Sequence, residues 1–301
     1  MSTPASTLWQ SRFEVPAAAV ETFLVALDGE AMSVAAFEEP APDGAPGERW
    51  RIELLHQTEP DRRALVARLA PLAERSGVGR IDLTVRPLRA TDWLVLNAQH
   101  FPPQEVGRFW IHGSHIQAPP PADRVPIQLD AGLAFGSGEH ASTRGCLLAL
   151  DRLARRRRFR RVLDLGCGSG ILAIAAAKCW PARLVAADND PVAVRVAAEN
   201  AARNGVAGRV RHVVSEGYAS PLVRASGAYD LILANILADP LCALARDLGR
   251  HLAPGGVAIL AGLLDRQARA VIDAHRQAQL ALRRQIALGP WVTLVLAKRR
   301  A

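Results

Sequence analysis

Hydrophobic and polar positions change their rhythm near residue 90 of this 301-residue chain. Before it, short alternating segments succeed one another. They read as a strand "SRFEVP" (11–16), a helix "AAAVETFLVALDG" (17–29), a strand "AMSVAAFEE" (31–39), a loop "PAPDGAPGE", a strand "RWRIELLHQ" (49–57), a helix "PDRRALVARLAPLAERSG" (60–77) and a strand "RIDLTVRPL" (80–88). Alternation with a period of two marks half-buried strands, whereas Leu65, Leu69 and Leu72, spaced i, i+4 and i+7, form one apolar stripe on the second helix.

The resulting order, βαββαβ, is that of a small α+β, ferredoxin-like unit. No cluster of catalytic residue types falls in residues 1–89, so their expected role is recognition. From 90 to 126 the periodicity lapses, and the proline-rich "APPPADRVP" (118–126) predicts an extended linker. The large aromatics around it, Trp93, Phe101, Phe109 and Trp110, are expected to pack as buried apolar surface.

Over 127–301 continuous apolar strands alternate with helices. "RVLDLG" precedes "GILAIAAAKCW", and "RLVAAD" precedes "PVAVRVAAENAARNG". Then come "VRHVVSEG", "YDLILANI", "PLCALARDLGRHLAPGG" and "VAILAG", and "ALGPWVTLVLAKR" supplies a last strand. Strands apolar on both faces and separated by helices predict an α/β, Rossmann-like domain with a parallel sheet covered on both sides.

Half of the residues are apolar, enough for two cores. The apolar runs are short, "ILAIAAA" being typical, so no membrane span is expected, and the first fifteen residues lack the pattern of a signal peptide. Cys146, Cys167, Cys179 and Cys242 are scattered without a CxxC pair, which suits reduced thiols in a cytoplasm and gives no metal site. A formal charge of +8 is compatible with a ribosomal or nucleic-acid setting but selects no partner. The basic run "RRRRFRR" (155–161) reads most simply as a solvated connection.

The chemistry gathers where "VLDLG" runs into the turn "GCGSG". Gly166, Gly168 and Gly170 follow a strand and open a helix, the arrangement in which backbone approaches a ligand at the carboxyl end of a parallel strand. Asp164 adds a carboxylate beside the turn. Asp188 ends the next strand, where an acid can accept hydrogen bonds from both ribose hydroxyls. A dinucleotide turn would place its last glycine where Ile171 stands, with a pyrophosphate at the helix N-terminus. An acid before G-x-G-x-G suits S-adenosylmethionine, whose ammonium and sulfonium favour a site edged with carboxylates. Asn235 closes the strand "YDLILANI". Its amide oxygen can hold an incoming amine in line with the methyl group, although an asparagine there can equally be a turn residue. His140, within "LDAGLAFGSGEHASTR" (129–144), reads alone as structural.

Taken in order, "LDAGLAFGSGEHAST", "DLGCGSGILAIAAAK", "ADNDPVAV", "NGV" and "ANILADPL" resemble the bacterial methyltransferases of large-subunit ribosomal protein eleven, the PrmA type. The resemblance implies a class I methyltransferase domain over 127–301, preceded by a ferredoxin-like substrate-recognition domain and a linker. It implies cofactor contacts at Thr143, Gly166, Asp188 and Asn235, beside Asp164, Gly168 and Gly170 of the turn, with Asn235 also catalytic. The implied reaction is N-methylation of lysine side chains and the N-terminal amine of that ribosomal protein, with transient ribosome contact and no specific nucleic acid. The chain departs from the family's G-T-G-x-H-P-T-T at Ser137, Ala141 and Ser142. It also carries "TDWL" (91–94) in the linker and the "PAPDGAPG" insertion. The rival expectations are a class I methyltransferase of another amine, and an RNA-binding or RNA-modifying protein. Against the second, "RIDLTVRPL" and "RWRIELLHQ" lack the paired aromatics on which a ferredoxin-like sheet stacks bases.

Overall fold

The computed structural model describes residues 8–27, 30–31, 33–39, 49–88, 102–114, 116, 118–129, 140–225 and 228–299. It divides into two compact units, Met1–His100 and Phe101–Ala301.

In the first unit β1 (Leu8–Pro16), β2 (Ser33–Glu39), β3 (Arg49–His56) and β4 (Thr84–Leu88) form one sheet in the order β2-β3-β1-β4, each neighbouring pair antiparallel. With α1 (Val20–Leu27) after β1 and α2 (Arg62–Arg75) after β3, this is the ferredoxin-like arrangement. Phe13 and Val15 of β1 and Ile52 and Leu54 of β3 join Phe23, Leu27, Leu69 and Leu72 in a single core. The stripe on α2 is realised with Leu69 and Leu72 buried and Leu65 packed at the edge. Asp61 starts that helix by accepting from the Arg63 and Ala64 N–H groups, a cap worth about 1 kcal/mol. The opposite sheet face is polar: Gln10 donates to Glu53 and accepts from Arg86.

The stretch expected to be an extended linker, 90–126, is not one where it is described. From Gln104 the chain forms β5 (Gln104–Val106), β6 (Phe109–His112) and β7 (Val125–Gln128), a small sheet belonging to the second unit. The cause is apolar: Val106, Phe109, Ile111 and Ile127 are all buried in that unit's core. Arg108 of the β5–β6 turn is tied to Asp151 at 2.6 Å. The three prolines at 119–121 lie in the loop between β6 and β7. Phe109 is core, and Trp110 stacks on His112 at 4.3 Å between ring centroids. Trp93, Phe101, the "TDWL" segment and the "PAPDGAPG" insertion lie outside the described residues.

The second unit is built on a seven-stranded sheet of β8 (Arg161–Leu165), β9 (Arg183–Asp188), β10 (Val210–Val214), β11 (Tyr229–Asn235), β12 (Leu252–Leu264), β13 (Leu280–Leu288) and β14 (Trp291–Lys298), in the order β10-β9-β8-β11-β12-β14-β13. Its first five strands are parallel, as their doubly apolar sequences require. Val162, Leu184, Leu231 and Leu233 face one apolar layer; Leu163, Val185, Ile232 and Ala234 face the other. The sheet as a whole is mixed. Gly289, with φ +58°, turns β13 back as an antiparallel hairpin that places β14 against β12. This is the Rossmann-like methyltransferase architecture expected for the domain.

The helices are α3 (Ala141–Ala154), α4 (Ile171–Cys179), α5 (Pro191–Arg203), α6 (Pro221–Ala225), α7 (Ala238–Ala243), α8 (Ala245–His251) and α9 (Asp265–Gln277). The single helix expected over "PLCALARDLGRHLAPGG" (240–256) is two short ones meeting at Leu244, and its last five residues already belong to β12. The helix α9 was not anticipated, although Ala268, Val271 and His275 mark its buried stripe at i, i+3 and i+7. Among the described residues no helix is long and apolar enough to cross a membrane. The arginines of 155–161 are exposed around one buried ring, Phe159, which meets Trp180 edge-on at 4.9 Å.

Candidate functional site

At the carboxyl end of β8 the chain turns sharply, and Gly166, Gly168 and Gly170 all have positive φ. The Gly166 and Cys167 N–H groups both donate to the Ala187 carbonyl of β9, at 2.8 and 3.0 Å. Gly170 starts α4. A side chain at Gly166 is doubly excluded: its φ is +69°, and its Cβ would lie 2.3 Å from Cγ2 of Ile236. The glycine turn and the segment following β11 therefore occupy adjoining space. Asn200 of α5, 2% exposed, holds the turn by donating to the Ser169 carbonyl at 2.9 Å. Sequence reasoning missed it. Its signal was an amide on the otherwise apolar, buried face of an amphipathic helix.

Two carboxylates border the turn in different states. Asp164 is 1% exposed; its Oδ2 accepts from the Ala173 N–H at 2.9 Å, and its Oδ1 has no partner. Burial pushes its pKa up to about 8, against the pull of the Ala173 bond and with a further push from Asp188. Asp188 is only half-buried. Its Oδ2 accepts from Gly168 N–H at 2.9 Å and its Oδ1 from Asp190 N–H at 3.1 Å. Beside it, in register on β10, Val214 is 49% exposed at the same sheet edge. Cys146 and Cys167 are buried, and their thiols are pushed up, mainly by that burial and further by Asp164. Both belong to the apolar core of the second unit.

A carboxyl whose pKa is higher in the folded protein than in the unfolded chain holds its proton more tightly when folded. Asp164 accordingly contributes stability below the ordinary carboxylate range, and loses that contribution as pH rises through about 8. The ligand-free protein is expected to show a thermal midpoint that falls between about pH 4 and about pH 8, and Asp164→Asn is expected to flatten this fall. Parallel slopes for the two proteins would show that the group does not titrate in this window.

Opposite the turn, β11 delivers Asn235 to the sheet edge, where its Nδ2 donates to Thr143 Oγ1 at 3.2 Å. Thr143 is fully buried on α3, so residues far apart in sequence fix one amide orientation. Asn235 Oδ1 is buried and unpartnered. Immediately after it, the main chain of Ile236 passes close to β12: a Cβ on Gly262 (φ +85°) would lie 2.4 Å from the Ile236 carbonyl oxygen and 3.0 Å from its nitrogen. Gly262 was also missed from sequence, where it reads as an ordinary strand residue. His140 caps α3 by accepting from the Ser142 N–H and packs edge-on to Trp291 at 4.4 Å, and burial lowers its pKa. That is a structural role, as expected. Residues 130–139, including Gly136, Ser137, Gly138 and Glu139, lie outside the described residues.

All seven expected site residues thus lie at the carboxyl edge of β8, β9 and β11, on the turn and helix that follow β8, or on the helix bonded to Asn235. Two buried oxygens without a partner among the described residues, Asp164 Oδ1 and Asn235 Oδ1, occur there together with backbone cradled by glycines. Buried polar atoms without partners are rare, and a group of them at a sheet's ligand-binding edge suits a donor-bearing, cationic ligand. Asp188→Ala removes a charged acceptor that also holds Gly168, and is expected to weaken S-adenosylhomocysteine by about 2–3 kcal/mol. Calorimetry measures this directly, and unchanged affinity would exclude Asp188 from the site.

A family model described as ribosomal protein L11 methyltransferase (PrmA) matches residues 15–299. A protein named ribosomal protein L11 methyltransferase from Rhodopseudomonas palustris (strain BisB5) is 43% identical over 274 residues, spanning 90% of this chain and 89% of its own. One of the same name from Bradyrhizobium diazoefficiens is 43% identical over 276 residues, 91% of this chain and 90% of its own. Among solved structures, a ribosomal protein L11 methylase from Lactobacillus delbrueckii subsp. bulgaricus is similar with a TM-score of 0.56 at 32% identity, covering 64% of this chain and 96% of that one.

Proposed function

The chain belongs to the ribosomal protein L11 methyltransferase family, and on that premise we propose that it methylates lysine side chains and the N-terminal amine of ribosomal protein L11, with S-adenosylmethionine as donor, in the cytoplasm. The observation that carries this is the buried, unpartnered Oδ1 of Asn235, fixed by Thr143 beside a glycine turn edged with carboxylates. When bound, S-adenosylmethionine supplies a methyl group on a positively charged sulfur, which is already a good leaving group. Asp188 would accept from its ribose hydroxyls, and Asp164 Oδ1 would face its positive end. The glycine turn lets main chain approach it.

Little chemistry is left for side chains beyond position. Asn235 accepts a hydrogen bond from a neutral amine and so directs the nitrogen lone pair at the carbon to be transferred, the alignment that supplies most of the rate in such displacements. A carboxylate at that position would favour the charged ammonium, which has no lone pair to offer. An amide does not.

Residues 1–89 are assigned to recognition of the protein substrate, with transient ribosome contact. All seven site residues lie in the second unit, so a fragment of residues 101–301 is expected to bind S-adenosylhomocysteine nearly as the whole chain does, while turnover on the ribosomal protein collapses for want of docking. Near-normal turnover by that fragment would remove recognition from the first unit. The decisive test of the function is intact-mass measurement of ribosomal proteins from cells with and without the gene. The ribosomal protein should lose mass in methyl increments in the deletion strain, and an unchanged mass would refute the assignment.

A further inference from the structure

Among the large apolar side chains exposed on the described surface, Leu237 stands out at 62%. Its place in the chain gives that exposure meaning. Asn235 donates to Thr143, the half-buried Ile236 lies against the glycine turn and Gly262, and Leu237 caps α7, its carbonyl accepting from the Leu241 N–H at 3.1 Å. The backbone is therefore held on both sides of a side chain that points to solvent. At most about 7 Å of chain separates it from Asn235. An isolated exposed leucine needs no explanation; one presented by a clamped backbone beside an orphaned buried acceptor does.

We propose that Leu237 contacts the methylene stem of the lysine whose nitrogen is held by Asn235, and that it assists methylation of lysine side chains while having no comparable part at the α-amine. The proposal rests on the assignment of Asn235 as the amine acceptor. A lysine differs from an N-terminal amine in its flexible four-carbon stem, which is apolar up to the charged head. A stem reaching inward to Asn235 must cross the site's rim, where an apolar side chain excludes water from it. Removing water around the nitrogen also disfavours the ammonium relative to the neutral amine that reacts. An α-amine, attached directly to the main chain, has no such stem to cover.

The test compares the wild-type chain with Leu237→Ala and Leu237→Met, using the purified ribosomal protein as substrate and site-resolved mass spectrometry as readout. Leu237→Ala is expected to raise KM for lysine methylation about tenfold, on the scale of trimming one contact in an apolar subsite, with a smaller fall in kcat and little change at the N-terminal amine. Leu237→Met, still apolar and of similar volume, is expected to restore lysine methylation to within about threefold. Affinity for S-adenosylhomocysteine and the thermal midpoint should match the wild type in both variants. Equal losses at lysine and α-amine, no loss at all, or weakened cofactor binding would each overturn the proposal. Absence of methyl transfer by the wild-type chain itself would instead overturn the function on which it rests.

Discussion

Asn235→Ala is expected to cut kcat for methyl transfer by about 10²- to 10³-fold, the scale of losing one fixed polar contact to the reacting group. The substitution removes the buried Oδ1 that has no partner among the described residues, together with the Nδ2 that donates to Thr143. It creates no clash. On the assignment proposed for the site Asn235 also borders the cofactor, so some weakening of S-adenosylhomocysteine is expected, but far less than the loss in kcat. Steady-state kinetics and calorimetry on the same preparation separate the two. A variant retaining a third or more of wild-type kcat would show that the amide is a strand-end residue without a part in the reaction.

Gly262→Ala is expected to be the most damaging single-methyl change in the second unit. Its φ of +85° is costly for any residue with a Cβ, and the new atom would lie 2.4, 2.8 and 3.0 Å from the carbonyl oxygen, carbon and nitrogen of Ile236. Those are main-chain atoms, which cannot rotate out of the way as a side-chain terminus can. The left-handed conformation contributes about 1–2 kcal/mol and the overpacking about 1–3 kcal/mol, a loss of roughly 2–5 kcal/mol that would lower the thermal midpoint by roughly 5–15 °C. Relief by moving Ile236 would also displace Asn235, so activity should fall further than stability alone predicts. A midpoint within a degree or so of wild type, with normal kcat, would show that the two segments are not tightly packed.

The legible parts of this protein were those with local signatures. Strand and helix periods alone give the βαββαβ order of the first unit, and doubly apolar strands give the parallel part of the second sheet. The acid and glycine positions mark the site because their chemistry is tied to their place at strand ends. What escaped was set by contacts distant in sequence. The small sheet of β5, β6 and β7 was hidden by its prolines, because burial of Phe109 and Ile111 outweighs a weak local pattern. The β13–β14 hairpin hung on one glycine. Asn200 and Gly262 act through neighbours some 30 residues away, Ser169 and Ile236, and neither belongs to a motif that spacing could flag. Thr143 was reached only through the family resemblance; Asn235 was read from its strand end, but the bond between the two is invisible without the fold.

Ile236 is packed against both Gly166 and Gly262, and this has a practical consequence for anyone seeking to redirect the enzyme to new acceptors. Transplanting the loop after β11 from a methyltransferase of different specificity would import a side chain at 236 shaped for another turn. The donor segment has to travel with its own residue at 166, which meets the Ile236 side chain, whereas position 262, which meets the Ile236 main chain, has to stay glycine whatever side chain stands at 236. Libraries built on this loop therefore have to vary 166 and 236 together and leave 262 fixed.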